Sequence, residues 1–149
     1  MARRLNGFGA HAALLFALCV VASVASADEH KLALQISDSD PVKMSAVLDI
    51  AANVSRAYSG RGDEVDIAVV AFNAGIAMLL ADRSPVAERL VEFEKSMPNV
   101  RFEACETSLK SVEKREGKAP KPLPGVTMVE AGVVELISLS EKGYTIVRP

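Results

Sequence analysis

The run "EVDIAVVAF", Glu64 to Phe72, constrains this chain more than any other stretch. It is β-branched and almost continuously apolar toward its end, which suits a strand covered on both faces, as in a parallel sheet. Parallel strands need a long crossover between them, usually a helix, and helical patterns lie on either side of this run. "HKLALQI" (His30 to Ile36) predicts an earlier buried strand, ending in the polar cluster "SDSD" (Ser37 to Asp40). Asp40 and Pro41 then read as a helix N-cap and first helical residue. Met44, Val47, Leu48, Ala51, Val54 and Tyr58 follow at helical spacing, with Gly60 or Gly62 closing the element.

The same alternation continues to the C-terminus. "NAGIAMLLA" (Asn73 to Ala81) predicts a turn and a short apolar helix. Ser84 and Pro85 open a further helix with Val86, Leu90, Phe93 and Met97 on one stripe. "VRFEAC" (Val100 to Cys105) reads as a third strand, Ser108 to Glu116 as a charged helix, and the proline-rich Gly117 to Gly125 as an extended connector. "VTMVE" (Val126 to Glu130) is a fourth strand. Val133, Leu136, Ile137 and Ser140 mark a last helix that stops at Gly143, and "YTIVR" (Tyr144 to Arg148) is a final strand. The predicted fold is therefore α/β: a three-layer α/β/α sandwich with an open, mainly parallel sheet of about five strands.

The first residues follow a different logic. Arg3 and Arg4, the apolar run Ala12 to Ala25 and the small residues "ASA" (Ala25 to Ala27) form the three-part pattern of a secretory signal peptide. Cleavage is expected after Ala27, and the apolar run is shorter than the roughly 20 residues that span a bilayer. Cys19 follows Leu18, where a lipoprotein site needs a small residue, so it reads as part of the apolar run. The processed chain, Asp28 to Pro149, has 122 of the 149 residues and suits a single domain. Losing Arg3 and Arg4 takes the formal charge from −2 to −4. With no basic block, the chain has no electrostatic footprint for nucleic acid or an anionic membrane surface. One cysteine, Cys105, and one histidine, His30, remain. That rules out an internal disulfide and a zinc site built from several Cys and His ligands.

In an open parallel sheet, ligands sit beyond the carboxyl ends of the strands. The chain offers Ser37, Asp38 and Asp40 there after the first strand, Asn73 and Gly75 after the second, Cys105 and Thr107 after the third, and Glu130 and Gly132 after the fourth. Cys105 is the strong nucleophile of the set. It reads either as a small buried hydrophobe or as a reactive thiol, since a helix starting at Thr107 would favour the thiolate. Glu103 and Glu106 oppose that, because nearby negative charge raises a thiol's pKa. Gly75 suits a special backbone conformation that aims N–H groups at an anion, or else a plain strand-to-helix turn with Asn73 as its cap. "SDSD" resembles a carboxylate site for Mg²⁺, but a helix cap from Asp40 explains it better. No histidine is placed to serve a cysteine hydrolase.

Three stretches carry a resemblance: "VVAFNAGIAMLL", "FEACETSL" and the ending "VEAGVVELISLSEKGYTIVRP". Across nearly all of the processed length the chain resembles the DsrE/DsrF-like family of small sulfur-relay proteins, in its exported branch. The resemblance implies an α/β/α sandwich, homo-oligomeric rings of three or six subunits, and a cysteine that carries sulfur as a persulfide. That role falls on Cys105. Asn73 and Gly75 match the turn beside the pocket, and Thr107 matches the polar residue just past the thiol. The family's characterised members work in the cytoplasm beside dedicated partners, whereas this chain has an export signal. The expectation is a periplasmic sulfur carrier that exchanges sulfur with donor and acceptor thiols and needs no metal or organic cofactor. The competing expectation is a non-catalytic oligomeric binding module with Cys105 as pocket lining. An intersubunit disulfide is a third reading of the same thiol.

Overall fold

Three successive crossovers in one direction and a fourth in reverse build the molecule. The computed structural model describes residues 29–149, so the N-terminal run read as an export signal lies outside the described residues. Its elements run β1 (Glu29–Ile36), α1 (Pro41–Ser59), β2 (Glu64–Ala71), a 3₁₀ helix (Asn73–Leu79) and α2 (Ala87–Ser96). They continue with β3 (Val100–Cys105), α3 (Glu106–Glu116), β4 (Val126–Val129), α4 (Gly132–Glu141) and β5 (Thr145–Val147). The five strands form one sheet in the order β4-β3-β2-β1-β5, and every pairing in it is parallel.

This order dictates the layers. Steps from β1 to β2, β3 and β4 all move the same way across the sheet. Right-handed crossovers therefore place α1, α2 and α3 on one face. The step from β4 back to β5 reverses direction and puts α4 on the other face. The two apolar cores follow that division. The larger joins Leu34, Ile36, Ile67 and Val69 of the sheet to Met44, Val47 and Leu48 of α1, Leu90 and Phe93 of α2, and Val112 of α3. The smaller packs Leu136 and Leu139 of α4 on Ala33, Ala68, Val70, Phe72, Cys105 and Tyr144. Small side chains on that face let α4 approach closely; a Cβ added at Gly132 would lie 2.7 Å from Phe72 Cβ.

Local signals explain most boundaries. The Asp40 carboxylate accepts the Val42 amide at 2.8 Å, and Pro41 opens α1. Asp38 is engaged by the Lys43 ammonium at 2.8 Å. Both carboxylates of "SDSD" thus serve the chain itself, as a cap and an ion pair. α3 ends at Gly117 in the left-handed conformation, φ 67°.

Three boundaries depart from expectation. α2 begins at Ala87 rather than at Pro85; the Ser84 hydroxyl accepts the Val86 amide at 3.3 Å and holds a turn instead. The apolar segment after β2 winds as a 3₁₀ helix. α3 begins at Glu106, with Cys105 itself as the N-cap. The connector Gly117 to Gly125 forms no helix, turns at its two end glycines, and is tied down by Ala81 N–H to Lys121 O and Leu123 N–H to Leu79 O, both 2.9 Å. No helix among the described residues is long and apolar enough to cross a membrane.

Candidate functional site at the carboxyl edge of the sheet

β3 ends where α3 begins, and Cys105 occupies both positions. Its backbone is still extended (φ −70°, ψ 114°), while its sulfur accepts the Ser108 amide at 3.4 Å, three residues into the helix. Serine, threonine and aspartate ordinarily perform that duty; here a thiol does. The side chain is 4% exposed.

Burial alone pushes the Cys105 thiol up. The Ser108 hydroxyl and the amides of Gly132, Ser108 and Thr107 outweigh it and bring the thiol below its ordinary value. This reverses the effect expected of the neighbouring acids. Glu106 is turned to Lys110 at 3.4 Å, and Glu103 to Arg101 at 2.8 Å, so each carboxylate is engaged by a cation, Arg101 being shared with Asp66. The helix-end amides are left to govern the sulfur.

Ser108 also links the thiol to the turn after β2. Its hydroxyl accepts the Asn73 amide at 2.8 Å. Asn73 is the one non-glycine among the described residues with positive φ, 50°, a conformation asparagine tolerates better than most residues. The sequence assigned the special backbone to Gly75; the structure gives it to Asn73. Gly75 is needed for another reason: a Cβ there would sit 2.4 Å from the Ile36 carbonyl oxygen and 2.8 Å from the Ser37 nitrogen. Gly75 therefore belongs to the packing beneath the turn, not to its open side.

On the open side lies a cavity of about 430 Å³ lined by Asn73, Ala74, Thr107, Ser108, Ser111 and Arg115. Thr107, Ser111 and Arg115 recur every fourth residue and so share one face of α3. Thr107 is fixed by its hydroxyl, which donates to the Glu130 carbonyl at 3.0 Å, and Ser111 by its bond to the Thr107 carbonyl at 2.9 Å. Arg115 makes no ion pair among the described residues; its neighbour Glu116 is taken by Arg83 at 2.7 Å.

Of the four residues singled out from sequence, Cys105, Asn73 and Thr107 come together around Ser108, and Gly75 supports them from below. Sequence reasoning missed Ser108, Ser111 and Arg115. The fourfold spacing of Thr107, Ser111 and Arg115 was a usable signal. The bond from Ser108 to Asn73 had none, because it joins residues 35 positions apart. Also unforeseen is a polar group on the α4 face. Arg101 donates to Asp66, to Glu103 and to the Tyr144 hydroxyl, and Tyr144 donates to Asp66. Among the described residues no group of three or more His, Cys, Asp or Glu side chains is arranged to hold a metal ion.

The chain matches no family model and no curated protein. A solved structure does match: the protein of unknown function MTH1491 from Methanobacterium thermoautotrophicum. The two share 23% identity at a TM-score of 0.69, over 80% of this chain and 99% of that one. The likeness is one of fold. It agrees with the three-layer α/β/α architecture described above.

Proposed function

We propose that this chain is a periplasmic sulfur carrier of the DsrE/DsrF-like type, holding sulfane sulfur as a persulfide on Cys105. The observation that carries the reading is the placement of a lone thiol as the N-cap of α3, at the carboxyl edge of a parallel sheet, where helix-end amides favour the thiolate. The Cys105 thiolate attacks the sulfane sulfur of a donor such as thiosulfate. A new S–S bond forms, the donor's S–S bond breaks, and sulfite leaves with the electron pair. An acceptor thiolate then attacks the outer sulfur, taking it as its own persulfide and returning Cys105 to the thiolate. Nothing is oxidised or reduced overall, and one cysteine suffices because persulfidation is reversible.

The cavity reaches the thiol only through Ser108, whose amide bonds the sulfur, and its lining supports a small anionic donor. Arg115, which makes no ion pair among the described residues, brings a positive charge to it, and Thr107 and Ser111 bring hydroxyls. A thiol only 4% exposed also favours a small donor over a protein surface. Export rests on the N-terminal pattern, and a homo-oligomer of three or six subunits on the family resemblance. Val133, Val134 and Ile137 support self-association, standing 55%, 62% and 56% exposed on the outer side of α4.

Mass spectrometry after incubation with thiosulfate or polysulfide tests the reading. One added sulfur atom on Cys105 is expected, and a reduced, alkylatable thiol that takes up none would sink it. Arg115→Ala is expected to slow loading from thiosulfate about tenfold, the worth of one partly solvated charge-assisted contact. Alkylation of the same thiol by neutral iodoacetamide should be unchanged. Equal slowing of both reactions would remove Arg115 from donor recognition.

A further inference from the structure

Ser108 carries a buried hydroxyl, 8% exposed, to which the sulfur transfer above gives no part. It stands third in α3 after the cap Cys105. The third residue of a helix projects back over its N-cap, the geometry that lets a capping box close. One half of such a reciprocal contact is in place here, since the Ser108 amide donates to Cys105 Sγ at 3.4 Å.

A serine hydroxyl has one proton to give and two lone pairs. The Asn73 amide takes a lone pair of Ser108 Oγ at 2.8 Å. The proton is not spent on the helix. Ser111 returns its own to the Thr107 carbonyl at 2.9 Å, whereas Ser108 makes no such bond among the described residues. Asn73 offers its amide from a left-handed backbone, φ 50°, in a turn that Gly75 packs closely against the end of β1. A non-glycine residue keeps such a conformation only where its surroundings hold it there.

We propose that Ser108 is the positioning residue of Cys105: the Asn73 amide fixes its oxygen, and its hydroxyl proton is delivered to Sγ. A hydrogen bond to an ionised acceptor is stronger than one to a neutral group, so this bond favours the thiolate. Burial pushes the thiol up, and the Ser108 hydroxyl is the first of the groups that bring it down, ahead of the amides of Gly132, Ser108 and Thr107. The charged and titratable groups on the elements around the thiol are Glu103 on β3 and Asp66 on β2, both bonded to Arg101, Glu106 on α3, bonded to Lys110, Glu130 after β4, Glu135 on α4 and Tyr144 before β5. Sγ takes hydrogen bonds from none of them, so neutral donors hold it. In loading, the bond steadies the attacking thiolate. In unloading the same thiolate is the leaving group, and a donor on it eases its departure. This role depends on Cys105 being the reacting group, but it concerns how the sulfur is held and not what it carries.

The pH profile of alkylation by iodoacetamide tests it. Ser108→Ala is expected to raise the midpoint of the thiol by about one pH unit, the scale of one hydrogen bond to an ionised group. Ser108→Thr keeps the hydroxyl and should restore the midpoint. A merely structural serine would lower the melting temperature of Ser108→Ala and leave the midpoint where it stands, which overturns the proposal. A Ser108→Thr midpoint raised like that of Ser108→Ala overturns it too. A second measurement needs no Ser108 variant. The Asn73 amide proton, followed by NMR, should shift in one step at the Cys105 midpoint, because the hydroxyl passes the change of charge along the chain of bonds, and should lose that step in Cys105→Ser. An Asn73 amide that does not respond to the thiol overturns the proposal equally. Neither measurement uses a sulfur donor. A thiol that takes up no sulfur defeats the carrier reading and leaves the role of Ser108 standing, while unmoved midpoints do the reverse.

Discussion

Cys105→Ser is expected to abolish the proposed sulfur loading completely and to leave the protein folded. Cys19 is removed in the expected cleavage after Ala27, and the remaining residues hold no other thiol to form a persulfide in its place. The fold survives because the substitution suits the local structure. Cys105 caps α3 by accepting the Ser108 amide, and a serine hydroxyl is a better N-cap acceptor than sulfur. The smaller oxygen leaves a slight void against Phe72 and Leu136, so the net change in stability should stay within about 1 kcal/mol. Intact-mass measurement after thiosulfate treatment reads the first effect and thermal melting the second. A sulfur adduct on the variant would refute Cys105 as the carrier. A variant with full biological function would establish the binding-module reading instead, with the thiol as lining.

Gly75→Ala should produce the largest loss of stability of any one-carbon change at the site. Its Cβ would meet the Ile36 carbonyl oxygen at 2.4 Å, the Ile36 carbonyl carbon at 2.6 Å and the Ser37 nitrogen at 2.8 Å. All three atoms are backbone at the end of β1, where the Ile36 carbonyl also accepts the Phe72 amide at 3.1 Å. No side-chain rotation relieves such a contact, so the turn or the strand must shift. A cost of about 3 kcal/mol is expected, lowering the melting temperature by about 10 °C for a domain of this size. Calorimetry of the variant checks it. The same shift would carry Asn73 away from Ser108, so loading of Cys105 should fall along with stability. A melting temperature within a degree of wild type would show that the turn yields freely.

These two residues also show what a sequence can and cannot reveal. The strands were legible because a parallel sheet covered on both faces demands continuous apolar runs such as "IAVVAF", and the helix after β1 because Asp40 and Pro41 mark its start. Cys105 was legible as a strand end beside a helix start. Its role as the cap was not, since cysteine seldom caps. Gly75 was recognised as constrained, but for the wrong cause: the demand comes from Ile36, a contact across two strand ends, and not from its own dihedral angles. Least legible was the group of Asp66, Arg101, Glu103 and Tyr144. Its members are scattered over 78 positions, and each looks like ordinary surface charge or strand filler until the sheet brings them together.

The strand order has a consequence for how the molecule comes to be made. β5 pairs only with β1, setting Thr145 beside Leu32, so the last strand of the sheet completes the flank of its first. The other pairings join strands that follow one another along the chain and can zip up in turn. This final one must close a loop nearly as long as the whole domain, and loop closure makes such contacts slow to form. Until then β1, which will sit inside the sheet, is a raw edge open to pairing with another chain. The reversal at α4 therefore gives the protein a finishing step. The β1–β5 pairing is expected to form after the other three, and the flank of β1 stays uncovered until β5 is in place.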